Sequence, residues 1–94
     1  MSTINKQLTN SGWLAVAEGV AEGDTVTIAG AGRQPLYYCT TDDGSDPVIK
    51  YSFDLNPGVA QSMALAVGEK LFCKGNVVLV MDATNPLVTT DVFA

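Results

Sequence analysis

The sequence predicts an all-β domain: a small antiparallel β-sandwich or barrel of about seven short strands, with a polar N-terminal arm. Three observations predict it. Apolar and β-branched residues alternate at period two, most strictly in Asp24-Thr25-Val26-Thr27-Ile28, where Val26 and Ile28 fall on one face and Thr25 and Thr27 on the other. Gly, Pro, Asn and Asp cut the apolar windows at intervals of roughly ten residues, the spacing of short strands joined by turns. No window sustains the helical period of about 3.6 residues over ten positions.

Residues 1–11 (MSTINKQLTNS) are polar apart from Ile4 and Leu8 and read as an extended arm; residues 12–94 read as one β-domain with a short C-terminal tail. Trp13 to Ala17 is the first strand. The quasi-repeat Ala17-Glu18-Gly19 and Ala21-Glu22-Gly23 reads as a loop, because its glycines break any helix that Ala and Glu prefer. Asp24 to Ile28 is the second strand, Gly30-Ala31-Gly32 a turn, and Leu36 to Thr41 the third strand, entered after Pro35, where a missing donor costs least.

Asp42-Asp43-Gly44-Ser45-Asp46-Pro47 is a dense turn, after which Val48 to Leu55 resumes the alternation. Ser62 to Val67 fits a helix by composition but is too short between Gly58 and Gly68, so a strand is expected. Lys70 to Lys74 and Val77 to Met81 flank Gly75-Asn76 and predict a hairpin on a two-residue turn, since both turn residues tolerate positive φ. Val77 to Met81 is apolar on both faces and is expected to be central or covered by another subunit. Asn85-Pro86 ends it, and Leu87 to Phe93 is a last strand or a docking tail.

The chain has 94 residues, so one domain is expected, with stability that is marginal or shared with neighbours. Hydrophobic residues make up 47% and charged residues 16%, against a usual charged share of about 25%. Such a surface is apolar for a monomer, and self-association is its expected remedy. Ten acidic residues against five basic ones give a net charge of −5. That argues against nucleic acid, which demands Lys and Arg for its phosphates, and against anionic membranes. No apolar run approaches the roughly 20 residues of a membrane span, and no secretory apolar region precedes Trp13, so synthesis in the cytoplasm is expected.

The chain contains no His, which removes the commonest general base and metal ligand. Cys39 and Cys73 lie on separate strands without a Cys-x-x-Cys, and read as free core thiols. Asp42, Asp43 and Asp46 bring hard oxygens together beside Gly44, the weak candidate for a cation, but their spacing departs from the EF-hand loop; a solvated turn without metal is expected. Gly30-Ala31-Gly32-Arg33 lacks the remaining residues of a dinucleotide or nucleotide phosphate loop. No catalytic residue and no cofactor is expected. Arg33 is the only Arg, and Arg is enriched at interfaces. Among the aromatics, core packing is expected over a sugar-stacking platform, with one of Tyr37 and Tyr38 exposed.

The order of elements resembles that of small virion β-proteins of tailed bacteriophages. The resemblance rests on Gly12-Trp13-Leu14-Ala15-Val16-Ala17, Asp24-Thr25-Val26-Thr27-Ile28, Leu36-Tyr37-Tyr38 before Asp46-Pro47, Leu55-Asn56-Pro57-Gly58, and Gly68-Glu69-Lys70-Leu71-Phe72. It covers residues 12–81 through motifs common in β-proteins. It implies a decoration (cement), head-fibre or tail-attachment subunit. The expectation is a non-enzymatic capsid decoration subunit in the virion, a homo-oligomer whose partner is the major capsid protein or another virion protein. The rival is a carbohydrate-binding or adhesion module of a fibre or tail. Ile4, Leu8, Arg33, Tyr38, Val78 and Val80 are the expected interface residues.

Overall fold

Alternation at period two gives eight strands in the computed structural model, which describes residues 4–7, 12–30, 36–42, 53–56, 58–75 and 77–88. They are β1 (Ile4–Gln7), β2 (Leu14–Glu18), β3 (Thr25–Gly30), β4 (Leu36–Thr41), β5 (Phe53–Leu55), β6 (Ala60–Ala64), β7 (Lys70–Lys74) and β8 (Val77–Met81). No helix occurs among the described residues.

The strands form two four-stranded antiparallel sheets, sheet A in the order β1-β8-β3-β6 and sheet B in the order β2-β7-β4-β5. Strands pair from the two ends of the chain inward: β1 with β8, β2 with β7, β3 with β6 and β4 with β5. The polypeptide is therefore one long hairpin whose tip is β4–β5. Rolling that hairpin brings β8 against β3 and β7 against β4. This is the strand order of a jelly roll, a double sheet made of two Greek keys.

The rolled ribbon closes over one core. Val16, Val26, Ile28, Leu36, Leu71, Cys73, Val78 and Val80 are each less than 2% exposed and come from both sheets. Burying a chain of this size contributes about 1.5–3 kcal/mol relative to leaving it in water. In β2 the alternation breaks at a bulge between Ala15 and Ala17, so the consecutive Val16 and Ala17 both turn inward.

Several expectations change. Lys70–Lys74 and Val77–Met81 are strands as expected, but they do not pair: β7 lies in sheet B and β8 in sheet A. The connection between them is a corner from one sheet to the other, with Gly75 buried at φ 130°, a conformation side chains disfavour. The polar segment at the front supplies an edge strand, Ile4–Gln7, and Ile4 packs against the chain's own core. Val78 and Val80, expected at an interface, belong to that core: Val80 faces Ile28 across the β3–β8 ladder, and both inward positions follow from that register. The strand expected over 62–67 runs from Ala60 to Ala64, and that expected over 48–55 is described only as β5.

Candidate functional site

Because successive strand residues point to opposite faces, fixing the core fixes the outer surface. On sheet A the outward positions of β8 are Val77, Leu79 and Met81, all half-buried. The β3 register sets Ala29 beside Leu79 and Thr27 beside Met81, and β6 continues the rows with Ala60 beside Ala29, Ser62 beside Thr27 and Ala64 beside Thr25. β1 puts Asn5 and Gln7 in register with Leu79 and Val77. None of these residues is charged. The Thr27 and Ser62 hydroxyls hydrogen-bond each other at 2.8 Å and so satisfy part of the face's polar surface internally. The outcome is an uncharged sheet surface of aliphatic, small and hydroxyl-bearing side chains.

Sheet B presents a different outer surface. Cys39 and Phe72 face each other across β4–β7, outside the inter-sheet cluster, and are 5% and 3% exposed. The neighbouring outward positions include charged residues: Glu18 lies in register with Lys70, and Lys74 and Asp54 lie in register with Tyr37 on either side. The Lys74 ammonium lies 4.7 Å from the centre of the Trp13 ring, an attraction worth about 0.5–1 kcal/mol at a partly exposed site.

One end of the sandwich is laced by backbone and side-chain hydrogen bonds. The Asp24 carboxylate accepts from the Val20 and Ala21 N–H groups at 2.8 and 2.9 Å and from the Asn85 amide. The Ala21 and Val20 N–H groups, then Asn85, hold its pKa below the ordinary carboxylate range despite the opposing effect of burial. Gly19 donates to the Glu69 carbonyl at 2.8 Å and accepts from Gly68 at 2.9 Å, an approach so close that a Cβ on residue 19 would sit 2.1 Å from the Ala66 carbonyl oxygen. The segment after β8 runs along β2: Leu87 donates to Val16 and Pro86 bridges Ala17.

The chemistry of the remaining groups is subdued. Burial pushes the Cys39 thiol up to about 11, with Lys74 pulling weakly the other way, and raises Cys73 further, burial first and Cys39 second. Both are free and buried, as expected from the sequence, and both are protonated at neutral pH. A cleft of about 240 Å³ opens between β4 and β6, lined by Tyr38, Gln61, Met63 and Glu69 among others. It is smaller than the roughly 300–1,000 Å³ of small-molecule sites, and its carboxylate already accepts from the Ala66 N–H at 3.0 Å.

Of the residues singled out from sequence, Tyr38 is half-buried against the core and Asp42 is exposed. Leu8, Arg33, Asp43 and Asp46 lie outside the described residues. No group of three or more potential metal ligands occurs among the described residues. The outward side of β8 and its neighbours on β3 and β6 were missed because both faces of β8 are apolar. Only the register against Ile28 distinguishes them. No family model, no curated protein and no solved structure matches this chain.

Proposed function

We propose that this chain is a non-enzymatic structural protein of a bacteriophage particle, a capsid decoration subunit that docks the outer face of sheet A onto the head shell. The observation that carries the reading is that face: among the described residues its outward positions on β8, β3 and β6 carry no charge, in a chain of net charge −5. Interfaces are depleted of charged residues at their centre, as this face is. The jelly-roll order supports the reading at the level of fold, since it recurs in viral capsid and lectin domains, though a fold alone hosts many functions.

The mechanism is adhesion. Strand spacing of about 4.8 Å and a rise of about 3.4 Å per residue give the face an area on the order of 300 Å². A stable interface buries about 800 Å² per partner, so one subunit binds weakly, and linking subunits in a homo-oligomer raises the effective concentration of the second contact. The partner is the major capsid protein or another virion protein. The subunit is made in the host cytoplasm and resides in the virion.

Carbohydrate binding on a fibre or tail is the competing reading, and it requires exposed aromatic rings. Among the described aromatic side chains, Trp13, Tyr37 and Tyr38 are half-buried and Phe72 is buried, which favours docking through sheet A. The test is proteomic analysis of purified particles, followed by co-sedimentation of the purified protein with shells lacking it. Co-purification and saturable binding to shells are expected. Absence from particles, or binding to glycans and not to shells, overturns the proposal.

A further inference from the structure

Among the described residues four strand edges end the two sheets, β1 and β6 in sheet A and β2 and β5 in sheet B. An open edge is a template for another strand unless it is protected. Three of the four carry a protection. β2 is bulged and covered by the Pro86 segment. β5 is three residues long with Asp54 at its centre, and β1 is a four-residue strand that includes Lys6. Among the described residues β6 carries no bulge, charge, Pro or covering segment: Ala60-Gln61-Ser62-Met63-Ala64 is exposed at every position except the half-buried Met63, and its one cap is the Gln61 side-chain amide on the Ser62 carbonyl.

The hydrogen bonds fix which of its backbone groups are open. Leu65, directly after β6, donates its N–H to the Asp24 carbonyl at 2.9 Å, so odd-numbered positions face β3. The Ser62 carbonyl accepts from the Gln61 side-chain amide at 3.0 Å, as a group pointing away from β3 would. Ala60, Ser62 and Ala64 therefore present their N–H and C=O groups outward.

We propose that β6 pairs with β6 of a second copy, antiparallel about a two-fold axis through Ser62, joining the two A sheets edge to edge. The strand is symmetric for this operation. Ser62 meets Ser62, Ala60 meets Ala64, and each such pair exchanges both N–H···O bonds. No like charges oppose each other, whereas β5 paired the same way would set Asp54 against itself. Val59 and Val67, 48% and 65% exposed, flank the strand. Antiparallel pairing carries Val59 of each copy to the Val67 end of the other, covering apolar surface at both ends.

A five-residue strand buries less than the roughly 800 Å² per partner of a stable interface, so the dimer is weak and concentration-dependent. The inference stands apart from the docking proposal, because it is read from self-association of the isolated protein. Its test is sedimentation equilibrium of the full chain from about 10 μM to 1 mM, with Ser62→Pro as a variant. Proline at 62 removes an outward N–H and leaves the β3 ladder intact, so an unchanged circular dichroism spectrum with loss of dimer is expected. A second variant, Ser62→Cys, sets two thiols on residues whose Cα atoms are about 5.5 Å apart in such a pair, within disulfide reach. Mild oxidation should give covalent dimer from Ser62→Cys and not from Thr25→Cys, one strand further in on the same face. A monomeric wild type throughout, a dimer that survives Ser62→Pro, or equal crosslinking by the two cysteine variants overturns the proposal.

Discussion

The two outer faces of the sandwich are made by the same alternation, yet they are finished differently. On sheet B the large outward residues are put away: Phe72 is 3% exposed and Cys39 5%, with Lys70, Lys74, Glu18 and Asp54 around them. On sheet A the outward aliphatic residues Val77, Leu79 and Met81 stay half-buried, and no charge interrupts them. Sheet B's described outer face sets charged residues around a buried ring, whereas the described outward positions of sheet A carry no charge.

The sharpest way to break that contrast is to truncate one outward side chain on each face. Phe72→Ala removes a buried ring and should cost about 3–5 kcal/mol, a large share of the roughly 5–15 kcal/mol that holds a small domain. Leu79→Ala, on the half-buried side of β8, should cost less than about 2 kcal/mol. Urea midpoints of the two variants check this. Equal losses would mean that sheet A's outer face is as much a part of the fold as sheet B's.

The thiols sharpen the same contrast. Cys39 lies outward on sheet B and Cys73 inward on β7, yet both are held protonated by burial. With Cys39 at about 11 against an ordinary value of about 8.5, native labelling at pH 8 should run at least about a hundred-fold slower than for a free cysteine. Cys39 should label before Cys73. Fast labelling of Cys39 would show that sheet B's face opens in solution.

Acid should act at the laced end and leave sheet A's described face alone. Asp24 has its pKa lowered by N–H donors in the folded state. The stability it contributes is present above the unfolded value of about 3.9 and is lost as pH falls through the lowered folded value. Denaturant midpoints of the wild type and Asp24→Asn should differ at pH 7 and converge below about pH 4. A difference independent of pH would remove the carboxylate's charge from the account.

Much of this architecture is legible in the chain, for reasons that differ by element. β4 is found with its exact bounds because Pro35 and Asp42 punctuate an alternating run, and β7 and β8 because turn residues separate them. The pairing of β7 and β8 is misread because Gly75-Asn76 suits both a hairpin turn and a corner between sheets. Only the long-range ladders, β2 to β7 and β1 to β8, decide between them. The bulge in β2 hides because Leu14-Ala15-Val16-Ala17 is apolar throughout, so nothing marks where period two fails. The candidate face is hidden for the same reason: Val77, Leu79 and Met81 are as apolar as Val78 and Val80, and sequence patterning cannot assign inward and outward among them.

The most direct measurement of the docking claim is shell binding by two charge variants, one on each face, with circular dichroism as the folding control. Thr27→Lys sets a cation at the centre of sheet A's outer face, while Asp54→Lys makes a larger charge change on sheet B. The account predicts at least a ten-fold loss of affinity for Thr27→Lys and less than a two-fold change for Asp54→Lys, about 1.4 kcal/mol against a few tenths. Undiminished binding by a folded Thr27→Lys variant, or a greater loss from Asp54→Lys, would contradict it.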